Sequence, residues 1–576
     1  MKNHEIAKIF RGMATFLEIE KVPFKPQAYE RAAFSLESLS EDVGEIYAKG
    51  GMKALQEIAG IGKSLAEQIE EYLKSGKIKV HEKFKKELPV AMDELLRVEG
   101  LGAKKIKILY EKLRVTDLKT LEKAAKLNKI AGLFGFGEKT EKNILQGLEF
   151  LKRDKGRQLL HDILPIARAT LHTLEQQPEV QKASLAGSLR RMRETIGDVD
   201  FLVVSKNPKK TMDFFVNLPG VEKVWGKGGT KASVHMINGF DMDLRVIRAR
   251  SYGSALQYFT GSKDHNIITR KIAIEKGLKL SEYGLFRGKV MIANSTEEQV
   301  YKALGMQWIP PEMRENSGEI EVALQGKLPS LVELGDIRGD LHVHSNWEEP
   351  KGAKSSLEDL AEKAMGMGYE YLGISDHTKD LNIERGLSEK ELLEENKYIK
   401  KLNTKFSAEG KKFSLLHGCE ANIRKDGSID IDDEVLSQLD YVVASVHSHT
   451  KMDVKEMSAR LERAMRNPHV DILGHPTGRI VGNREEYAHN FDHILRVAKE
   501  THTILEINSS SRLDLQDIYI RRAKNEGVKM IINTDTHNIS QLNLMEFGIS
   551  QARRGWAEKK DVINTLPIEK LLDTIK

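Results

Sequence analysis

The chemistry-bearing residues with the most informative spacing are three aspartates. Asp198 and Asp200 stand two residues apart in Gly-Asp-Val-Asp, and Asp243 follows in Asp-Leu-Arg. Side chains at i and i+2 of a strand point to one face, and a neighbouring strand can bring a third carboxylate alongside. Three converging carboxylates suit two hard divalent cations, Mg²⁺ or Mn²⁺, with phosphate oxygens completing the shell. The pattern therefore predicts a two-metal centre for in-line nucleotidyl transfer.

A glycine-serine turn precedes these aspartates. In Gly187-Ser188-Leu189-Arg190-Arg191, the turn offers a hydroxyl and backbone N–H groups, and Arg191 adds a charge-assisted donor. These groups suit a triphosphate, and Gly197, directly before Asp198, joins the predicted nucleotide site. Paired aspartates at a strand end are common without function, so the prediction depends on the turn and on the third aspartate.

The last part of the chain is rich in histidine, with 12 of its 18 histidines after residue 339. Successive apolar segments end in residues that can bind metals. In a barrel of parallel strands these ends gather on one rim. Imidazoles mixed with carboxylates suit Zn, Mn or Fe, and their number suits two or three ions. The pattern predicts a metallo-phosphoesterase whose candidate ligands end the segments Asp340–His344, Ser375–His377, Gly418–Glu420, Ser445–His447, Gly474–His475 and Asp535–His537.

Glycine-rich turns between amphipathic helices predict DNA contacts in the first 155 residues. A helix-hairpin-helix directs backbone N–H groups at a phosphate, and glycine permits the close approach. A helix C-cap is the better explanation of any single example, and it is the occurrence of three at comparable helical positions that favours DNA binding. We expect DNA contacts from two hairpins and leave the third, Gly135-Phe136-Gly137, unassigned; the candidate residues are Gly60, Gly62, Lys63, Gly100, Gly102 and Lys104.

Composition sets the limits of this interpretation. The 576 residues carry a net charge of +5, but residues 1–339 hold 56 Lys and Arg against 45 Asp and Glu, whereas residues 340–576 hold 34 against 40. A basic front suits a polyanion, and an acidic rear suits cations. The single cysteine, Cys419, excludes an intramolecular disulfide and fits a reducing cytoplasm. The absence of a long apolar run predicts neither a membrane span nor a signal peptide.

The residues from 1 to about 316 closely resemble the family X DNA polymerases, the relatives of polymerase beta. Tyr258-Phe259-Thr260-Gly261-Ser262, followed by Asn266 and Arg270, is similar to the nucleotide-selecting segment of that family. The resemblance implies that Tyr258 is a steric gate against a ribose 2′-hydroxyl and that Phe259 and Gly261 line the sugar. It also implies that Asn266 contacts the base edge, that Arg270 contacts the template side and that Arg157 contacts the triphosphate.

Two positions depart from the family pattern. The N-terminal region resembles the family's lyase domain, but Gln68 stands where the Schiff-base lysine is expected. An amide cannot form an imine, so deoxyribose-phosphate lyase chemistry is not predicted at that position. Asp241, two residues before Asp243, is the other departure, and we assign it no ligand role.

The residues from about 334 to 576 resemble the PHP (polymerase and histidinol phosphatase) domain. The resemblance implies a distorted (β/α)7 barrel, up to three Mn²⁺ or Zn²⁺ ions and Mn-dependent 3′–5′ exonuclease activity, with abasic-site endonuclease or 3′-phosphatase activity in some members. The family's ninth ligand is an aspartate, and here Glu349 is the best candidate. The implied ligands are His342, His344, Glu349, His377, Glu420, His447, His475, Asp535 and His537.

We therefore expect a multidomain α+β and α/β protein. Its predicted parts are a lyase-like helix-hairpin-helix domain (1–80), a second helix-hairpin-helix subdomain (81–155), a nucleotidyltransferase palm (156–250), a nucleotide-selecting, thumb-like subdomain (251–316), a linker (317–333) and the PHP barrel (334–576). The expected activity is filling of short gaps in base excision repair, coupled to end trimming.

The expected partners are gapped or nicked DNA and deoxynucleoside triphosphates, and the expected form is a cytoplasmic, nucleoid-associated monomer. Two alternatives stay open: an end-processing phosphoesterase with a scaffold front, and a small-molecule phosphatase. Incorporation of one nucleotide at a gap discriminates between them and the polymerase.

Overall fold

The computed structural model describes the chain except residues 1, 20–21, 23–24, 39–41, 59, 88, 92–94, 96–97, 99–100, 139, 142–143, 146–147, 149–156, 349–352, 354, 382–385 and 576. The predicted mixture of helical, α+β and α/β parts is confirmed. Among the described helices, none has both the length and the apolar character needed to cross a bilayer.

The N-terminal part is helical and contains two apolar cores. Ile6, Phe10 and Leu36 are fully buried in the first core, and Ile106 and Leu121 are fully buried in the second. Asp117 caps its helix, since its side chain accepts a hydrogen bond from the backbone N–H of Thr120. The described helices are α1 (Lys2–Ile19), α2 (Lys25–Ser38), α3 (Val43–Gln56), α4 (Lys63–Ser75), α5 (Lys79–Glu87), α6 (Ala103–Leu113) and α7 (Leu118–Lys126).

A five-stranded sheet follows, in the order β2 (Val180–Leu185), β4 (Asp198–Ser205), β7 (Asp241–Ile247), β6 (Lys231–Met236) and β5 (Val221–Lys227). Its strands β4 and β7 are parallel neighbours, whereas the other pairs are antiparallel. Apolar side chains alternate along β6 and β7, as expected for strands with one buried face. The elements are β1 (Gln158–Leu159), α8 (Leu160–Glu175), β2 (Val180–Leu185), α9 (Gly187–Arg190), β3 (Thr195–Ile196), β4 (Asp198–Ser205), α10 (Pro208–Val216), β5 (Val221–Lys227), β6 (Lys231–Met236) and β7 (Asp241–Ile247).

A smaller subdomain packs beside the end of this sheet. It consists of α11 (Tyr252–Thr260), α12 (Lys263–Glu275), β8 (Lys279–Ser281), β9 (Gly284–Arg287), β10 (Val290–Ala293) and α13 (Glu297–Ala303). The segment 317–333, expected as a linker, contains a further helix, α14 (Glu319–Leu324). Ile320, Ala323 and Leu331 of this segment are buried in the core of the subdomain. Its low apolar periodicity concealed this packing, because only a few side chains of so short a helix face the core.

The C-terminal module is a barrel of parallel strands with helices outside. Residues of β11, β17 and β18 are buried on both faces, as parallel strands beneath helices require. The strands form two sheets, β11-β12-β13 and β14-β15-β16-β17-β18. A bridge between His377 and Glu420 joins the sheets at one side, and a bridge between Val343 and Thr536 closes the ring.

The elements of the barrel module are β11 (Gly339–Val343), α15 (Leu357–Gly366), β12 (Tyr371–Ile374), α16 (Glu389–Ala408), β13 (Ser414–His417), β14 (Glu420–Asn422), α17 (Asp433–Leu436), β15 (Val443–Ser445), α18 (Val454–Met465), β16 (Ile472–Leu473), α19 (Phe491–Thr501), β17 (Ile504–Asn508), α20 (Asp517–Glu526), β18 (Met530–Asn533), α21 (Met545–Arg554) and α22 (Ile568–Ile575). The barrel also touches the front of the chain. Leu513 and Phe547 are buried in the core of the five-stranded sheet, and Trp556 is buried in that of the smaller subdomain.

Candidate active sites

The three aspartates meet at one edge of the five-stranded sheet. Parallel pairing of β4 with β7 sets Asp200 beside Asp243 and Asp198 beside Asp241. One carboxylate oxygen from each of Asp198, Asp200 and Asp243 lies within 4.8 Å of the other two. This is the convergence that the two-residue spacing predicts, and a divalent cation can be held by oxygens at such separations.

The electrostatics of this edge favour cations. Burial raises the pKa of Asp200 to about 8, and the charges of Asp198 and Asp243 add to the shift. Burial and Asp243 likewise raise the pKa of Asp198. The only counter-charge bonded to the trio among the described residues is Lys231, whose Nζ lies 2.8 Å from Oδ2 of Asp243. Crowded carboxylates that resist ionisation are stabilised by bound cations, so this donor set fits Mg²⁺ or Mn²⁺.

Asp241 lies beside Asp198 in the strand register but makes a separate set of contacts. Its Oδ1 lies 2.6 Å from Nδ1 of His235 and accepts a hydrogen bond of 2.9 Å from Nε1 of Trp225. It is not among the carboxylates that converge on the metal position. Its negative charge nevertheless contributes to the raised pKa of Asp198.

The Gly187 turn lies directly against the aspartates. The backbone N–H of Ala186 donates to the carbonyl of Asp200 at 2.9 Å, which joins the turn to β4. Gly187 has a φ of +61°, and a Cβ at this position would lie 2.1 Å from Oδ2 of Asp200. Only glycine therefore fits between the turn and the Asp200 carboxylate. Ser188 follows as the second residue of α9 and is half-buried.

The two arginines of the turn have different partners. Arg190 forms a two-pronged ion pair with Glu297, with N···O distances of 2.8 and 2.7 Å, and Glu297 also accepts from the buried Arg314. Burial alone would raise the pKa of Glu297, but Arg314 and Arg190 outweigh it and lower that pKa strongly. Arg191 instead donates to Oε1 of Glu315 at 3.0 Å and to the carbonyl of Thr260. The Arg190–Glu297 pair was not predicted, because its partners are 107 residues apart.

The segment that resembles a nucleotide-selecting element forms α11 and the start of α12. Tyr258 and Phe259 are half-buried, and guanidinium groups lie over both rings: Arg270 at 5.6 Å from the Tyr258 centroid and Arg245 at 4.6 Å from that of Phe259. Asn266 is buried, and its side-chain amide donates to the carbonyl of Tyr258 at 2.7 Å. A cleft of about 920 Å³ between α3 and this subdomain is lined in part by Tyr258 and Arg270.

Gly261 lies close to Arg191 of the turn, and Arg157 lies close to Gly197, directly before Asp198. A Cβ at Gly261, whose φ is +71°, would lie 3.1 Å from the guanidinium of Arg191. Arg157 donates to Oγ1 of Thr195 at 2.8 Å, and its guanidinium lies 3.2 Å from the position a Cβ would take on Gly197. Its positive charge partly offsets the rise in the pKa of Asp198. Both residues therefore border the predicted nucleotide site.

The glycine hairpins have the geometry expected of phosphate-binding turns. Gly62 and Gly102 are the N-caps of α4 and α6, so their exposed backbone lies at a helix N-terminus. Gly60 adopts a φ of +82°, and Lys63 is the exposed first residue of α4. Gly100 and the side chain of Lys104 lie outside the described residues.

The position expected for a Schiff-base lysine has a structural partner. Gln68 exchanges hydrogen bonds with the hydroxyl of Tyr29, at 3.0 and 2.7 Å. Burial raises the pKa of Tyr29, and the hydrogen bond with Gln68 partly opposes that rise. At this position the side chain therefore binds a tyrosine and provides no nucleophilic amine.

The histidines of the barrel surround one carboxylate. Glu420 is buried, and ring nitrogens of five histidines lie within 3.7 Å of its oxygens: His377 at 2.7 Å, His475 at 2.9 Å, His447 at 3.2 Å, His342 at 3.4 Å and His344 at 3.7 Å. Asp535 lies 3.4 Å from His344 and 3.6 Å from His537. Such a set of imidazoles and carboxylates fits Zn or Mn. Glu349 lies outside the described residues.

Six of these candidate ligands form three overlapping groups, each with its donor atoms within 4.8 Å of one another, and His475 and Asp535 lie beside them. The groups are His344 with His377 and His537, His342 with His344 and Glu420, and His377 with Glu420 and His447. Three groups that share members suit several ions rather than one. Burial opposes ionisation of Glu420, but the charges of His447, His342 and His377 outweigh it and hold its pKa well below the usual range.

A further layer orients the ligands, and the sequence analysis missed it. Oε1 of Glu506 lies 2.6 Å from Nδ1 of His342, and Oδ1 of Asn422 lies 2.8 Å from Nδ1 of His447. These contacts fix the ring tautomers and leave Nε2 directed at the cluster. The available signal was a buried polar residue inside an apolar strand: Glu506 interrupts Ile504–Asn508, and Asn422 follows Glu420 by two residues.

Comparisons with known proteins agree with this arrangement. Family models match for a helix-hairpin-helix domain (1–78), a SAM-like helix-hairpin-helix tandem (92–149), a DNA polymerase beta thumb (255–315) and a PHP domain (340–510). The chain is 38% identical over 571 residues to the "DNA polymerase/3'-5' exonuclease PolX" of Bacillus subtilis, covering 98% of this chain and 97% of that protein. It is also 34% identical over 135 residues to a "Probable phosphatase" of Clostridium novyi, covering 22% of this chain and 52% of that one. The chain therefore belongs to the PolX family, the family X DNA polymerases that carry a C-terminal PHP domain.

Proposed function

We propose that the protein is a DNA-directed DNA polymerase that fills short gaps in DNA during base excision repair, and that its PHP barrel is a metal-dependent 3′–5′ exonuclease. One observation carries the polymerase assignment. Three aspartates from adjacent parallel strands converge within 4.8 Å, directly against a glycine turn that no larger residue could form. Membership of the PolX family supports both activities.

In the polymerase site, the protein's own groups bind and orient the nucleotide. Asp198, Asp200 and Asp243 would hold two Mg²⁺ or Mn²⁺ ions, which when bound supply the positive charge that in-line transfer to a 3′-hydroxyl requires. The turn residues Gly187 and Ser188 donate to the triphosphate of a deoxynucleotide. Further phosphate and sugar contacts are proposed for Arg157, Arg191, Gly197, Tyr258, Phe259 and Gly261. Asn266 is proposed to contact the base edge, and Arg270 the template side.

DNA contacts are proposed for the hairpins. The backbone N–H groups at Gly62 and Gly102 lie at helix N-termini, where a phosphate binds without regard to sequence, and Gly60 lies in the turn just before the first of them. Lys63 adds a charge at the first of these positions. We include Gly100 and Lys104 in the same proposal on their sequence alone. A gapped or nicked duplex is the substrate that such hairpins and a nucleotide site would share.

A single-nucleotide gap tests the polymerase assignment. Asp200→Asn preserves the shape of the side chain but removes its charge, so we expect incorporation to fall by at least about a thousandfold, because the cation site loses a ligand. Asp213→Asn is the matched control, since Asp213 is half-exposed on α10 of the same domain, where it pairs with Lys227 and not with the aspartate cluster. Retained incorporation in the Asp200 variant, with an unchanged melting temperature, would rule out this centre.

In the barrel, the candidate ligands would likewise hold metal ions, here next to a phosphodiester that is to be cleaved. The ligand cluster would hold up to three Mn²⁺ or Zn²⁺ ions, which when bound supply charge to the cleaved phosphate and lower the pKa of water. Glu506 and Asn422 keep His342 and His447 in the ligand tautomer. We propose 3′–5′ exonuclease activity as the main reaction and abasic-site cleavage or 3′-phosphate removal as further ones, with Glu349 as an additional ligand.

His344→Gln tests the nuclease. It removes a ring shared by two of the ligand groups, so Mn-dependent 3′ degradation should be lost while gap filling persists. His502→Asn is the control, because His502 is exposed and its φ of +59° suits asparagine. Undiminished degradation by the His344 variant would place the nuclease elsewhere.

The remaining proposals concern the oligomeric state and the cellular location of the protein. We propose that the protein acts as a monomer in the cytoplasm, associated with the nucleoid through its DNA substrate. Sedimentation with and without gapped DNA tests the monomer. A small-molecule phosphatase is disfavoured, because it would leave the hairpins and the nucleotide turn without a role.

A further inference from the structure

A buried arginine of the barrel module reaches into the polymerase part of the chain. Arg554, the last residue of α21, has a side chain that is only 2% exposed. Its Nη1 donates to the backbone carbonyl of Arg191 at 3.0 Å and to Oε1 of Glu315 at 3.1 Å. Its Nη2 donates to Asp517 of the same module. One guanidinium thus joins the barrel to the end of the Gly187 turn.

The atoms that Arg554 contacts also determine where the Arg191 side chain lies. Oε1 of Glu315 accepts from Nε of Arg191 at 3.0 Å, so Arg191 and Arg554 share one carboxylate oxygen. Arg193 lies 3.9 Å from the other oxygen of Glu315. Arg554 therefore holds the main chain of Arg191 and one of the two partners of its side chain, the other being the carbonyl of Thr260.

This sharing matters when a triphosphate binds. Glu315 competes with the phosphates for the charge of Arg191, and a half-buried carboxylate holds one partner less strongly when it has others. Arg554 supplies a second close partner at 3.1 Å, nearer than Arg193 at 3.9 Å. It also fixes the carbonyl from which the Arg191 side chain projects, so the guanidinium starts from one defined position.

We propose that Arg554 is a positioning residue of the nucleotide site: it anchors the Arg191 main chain and occupies Glu315, so that Arg191 is available to the triphosphate. The PHP module is then part of the machinery of DNA synthesis and not only an attached nuclease. This inference rests on the proposed polymerase function.

Steady-state gap filling by the full chain tests it with two neighbouring variants. Arg554→Gln should raise the KM for the deoxynucleotide about tenfold, the size expected when one charge-assisted contact no longer orients a phosphate donor, while kcat changes much less. Arg553→Gln is the matched control. Arg553 lies on the same helix and also binds the front of the chain, through Glu312 and the carbonyl of Val332, but it has no bond to the turn.

A purely structural role would lower the melting temperature in both variants and would not separate KM from kcat. Arg554→Lys keeps the charge but loses the forked geometry, so we expect a smaller rise in KM, of about threefold. If Arg554→Gln does not fold, Arg554→Lys is the variant used for the measurement. An unchanged KM in Arg554→Lys, or an equal rise in Arg553→Gln, overturns the inference. A wild-type chain that incorporates no nucleotide would instead refute the proposed function.

Discussion

Gly187 offers a sharp test of the polymerase site, because adding one methyl group there has two effects, on stability and on the position of Asp200, that can be measured separately. The residue has a φ of +61°, and a Cβ would lie 2.1 Å from Oδ2 of Asp200. Gly187→Ala therefore imposes both a left-handed backbone on an alanine and a clash with a catalytic carboxylate. The first effect acts on stability, and the second acts on the position of Asp200.

The magnitudes of the two effects differ. The left-handed conformation costs an alanine about 1–2 kcal/mol. The clash requires the oxygen to retreat from 2.1 Å to at least 3.0 Å, the shortest approach that a Cβ tolerates. Rotation of the Asp200 side chain can provide this movement at little further cost in stability. A displacement of about 1 Å in a reacting group lowers rates by about a hundredfold, so we expect kcat to fall by at least that factor.

The assay is single-turnover incorporation at a one-nucleotide gap, combined with thermal unfolding. Gly288→Ala is the matched control, since Gly288 has a φ of +58° but no atom within 4 Å of the Cβ position. We expect it to lose similar stability and to keep its incorporation rate within about twofold. If Gly187→Ala were as active as Gly288→Ala, the proposed packing of the turn against Asp200 would be wrong.

Three further predictions concern other parts of the molecule. Burial raises the pKa of Glu282 from 4.5 to about 7, so the stability that this group confers below pH 4.5 is lost as the pH rises through 7. In denaturant unfolding, Glu282→Gln should therefore be more stable than the wild type by up to about 3 kcal/mol at pH 8. At pH 4 the two should be almost equally stable. Glu506→Gln should weaken Mn²⁺ binding about 10- to 100-fold, because Glu506 orients His342; a calorimetric titration that matches the wild type would contradict this. Leu513→Ala should cost about 2–5 kcal/mol of unfolding free energy, since Leu513 is 1% exposed, whereas Leu334→Ala, at a residue 50% exposed, should cost under about 0.5 kcal/mol.

The convergence of Asp198, Asp200 and Asp243 could be anticipated in part because the relevant rule is local. Alternation along a strand places Asp198 and Asp200 on one face, whatever the rest of the chain does. The histidines could be anticipated for a similar reason, since the ends of parallel strands share a rim. Glu506 could not, because a buried carboxylate within an apolar strand becomes meaningful only when its distant partner His342 is known, and 164 residues separate them.

The contact between the two modules was hidden for a different physical reason. The hydropathy of a sequence indicates which side chains are buried, but it does not indicate which core each of them joins. Leu513, Phe547 and Trp556 belong by sequence to the barrel, yet they are buried in the cores of the five-stranded sheet and the smaller subdomain. Removing the barrel would therefore expose apolar surface on the polymerase part and leave Glu315 without Arg554. Loss of DNA synthesis in a truncated chain would therefore not by itself show that synthesis needs the nuclease activity. Point variants such as His344→Gln leave the contact between the modules intact, so they are the appropriate way to separate the two activities.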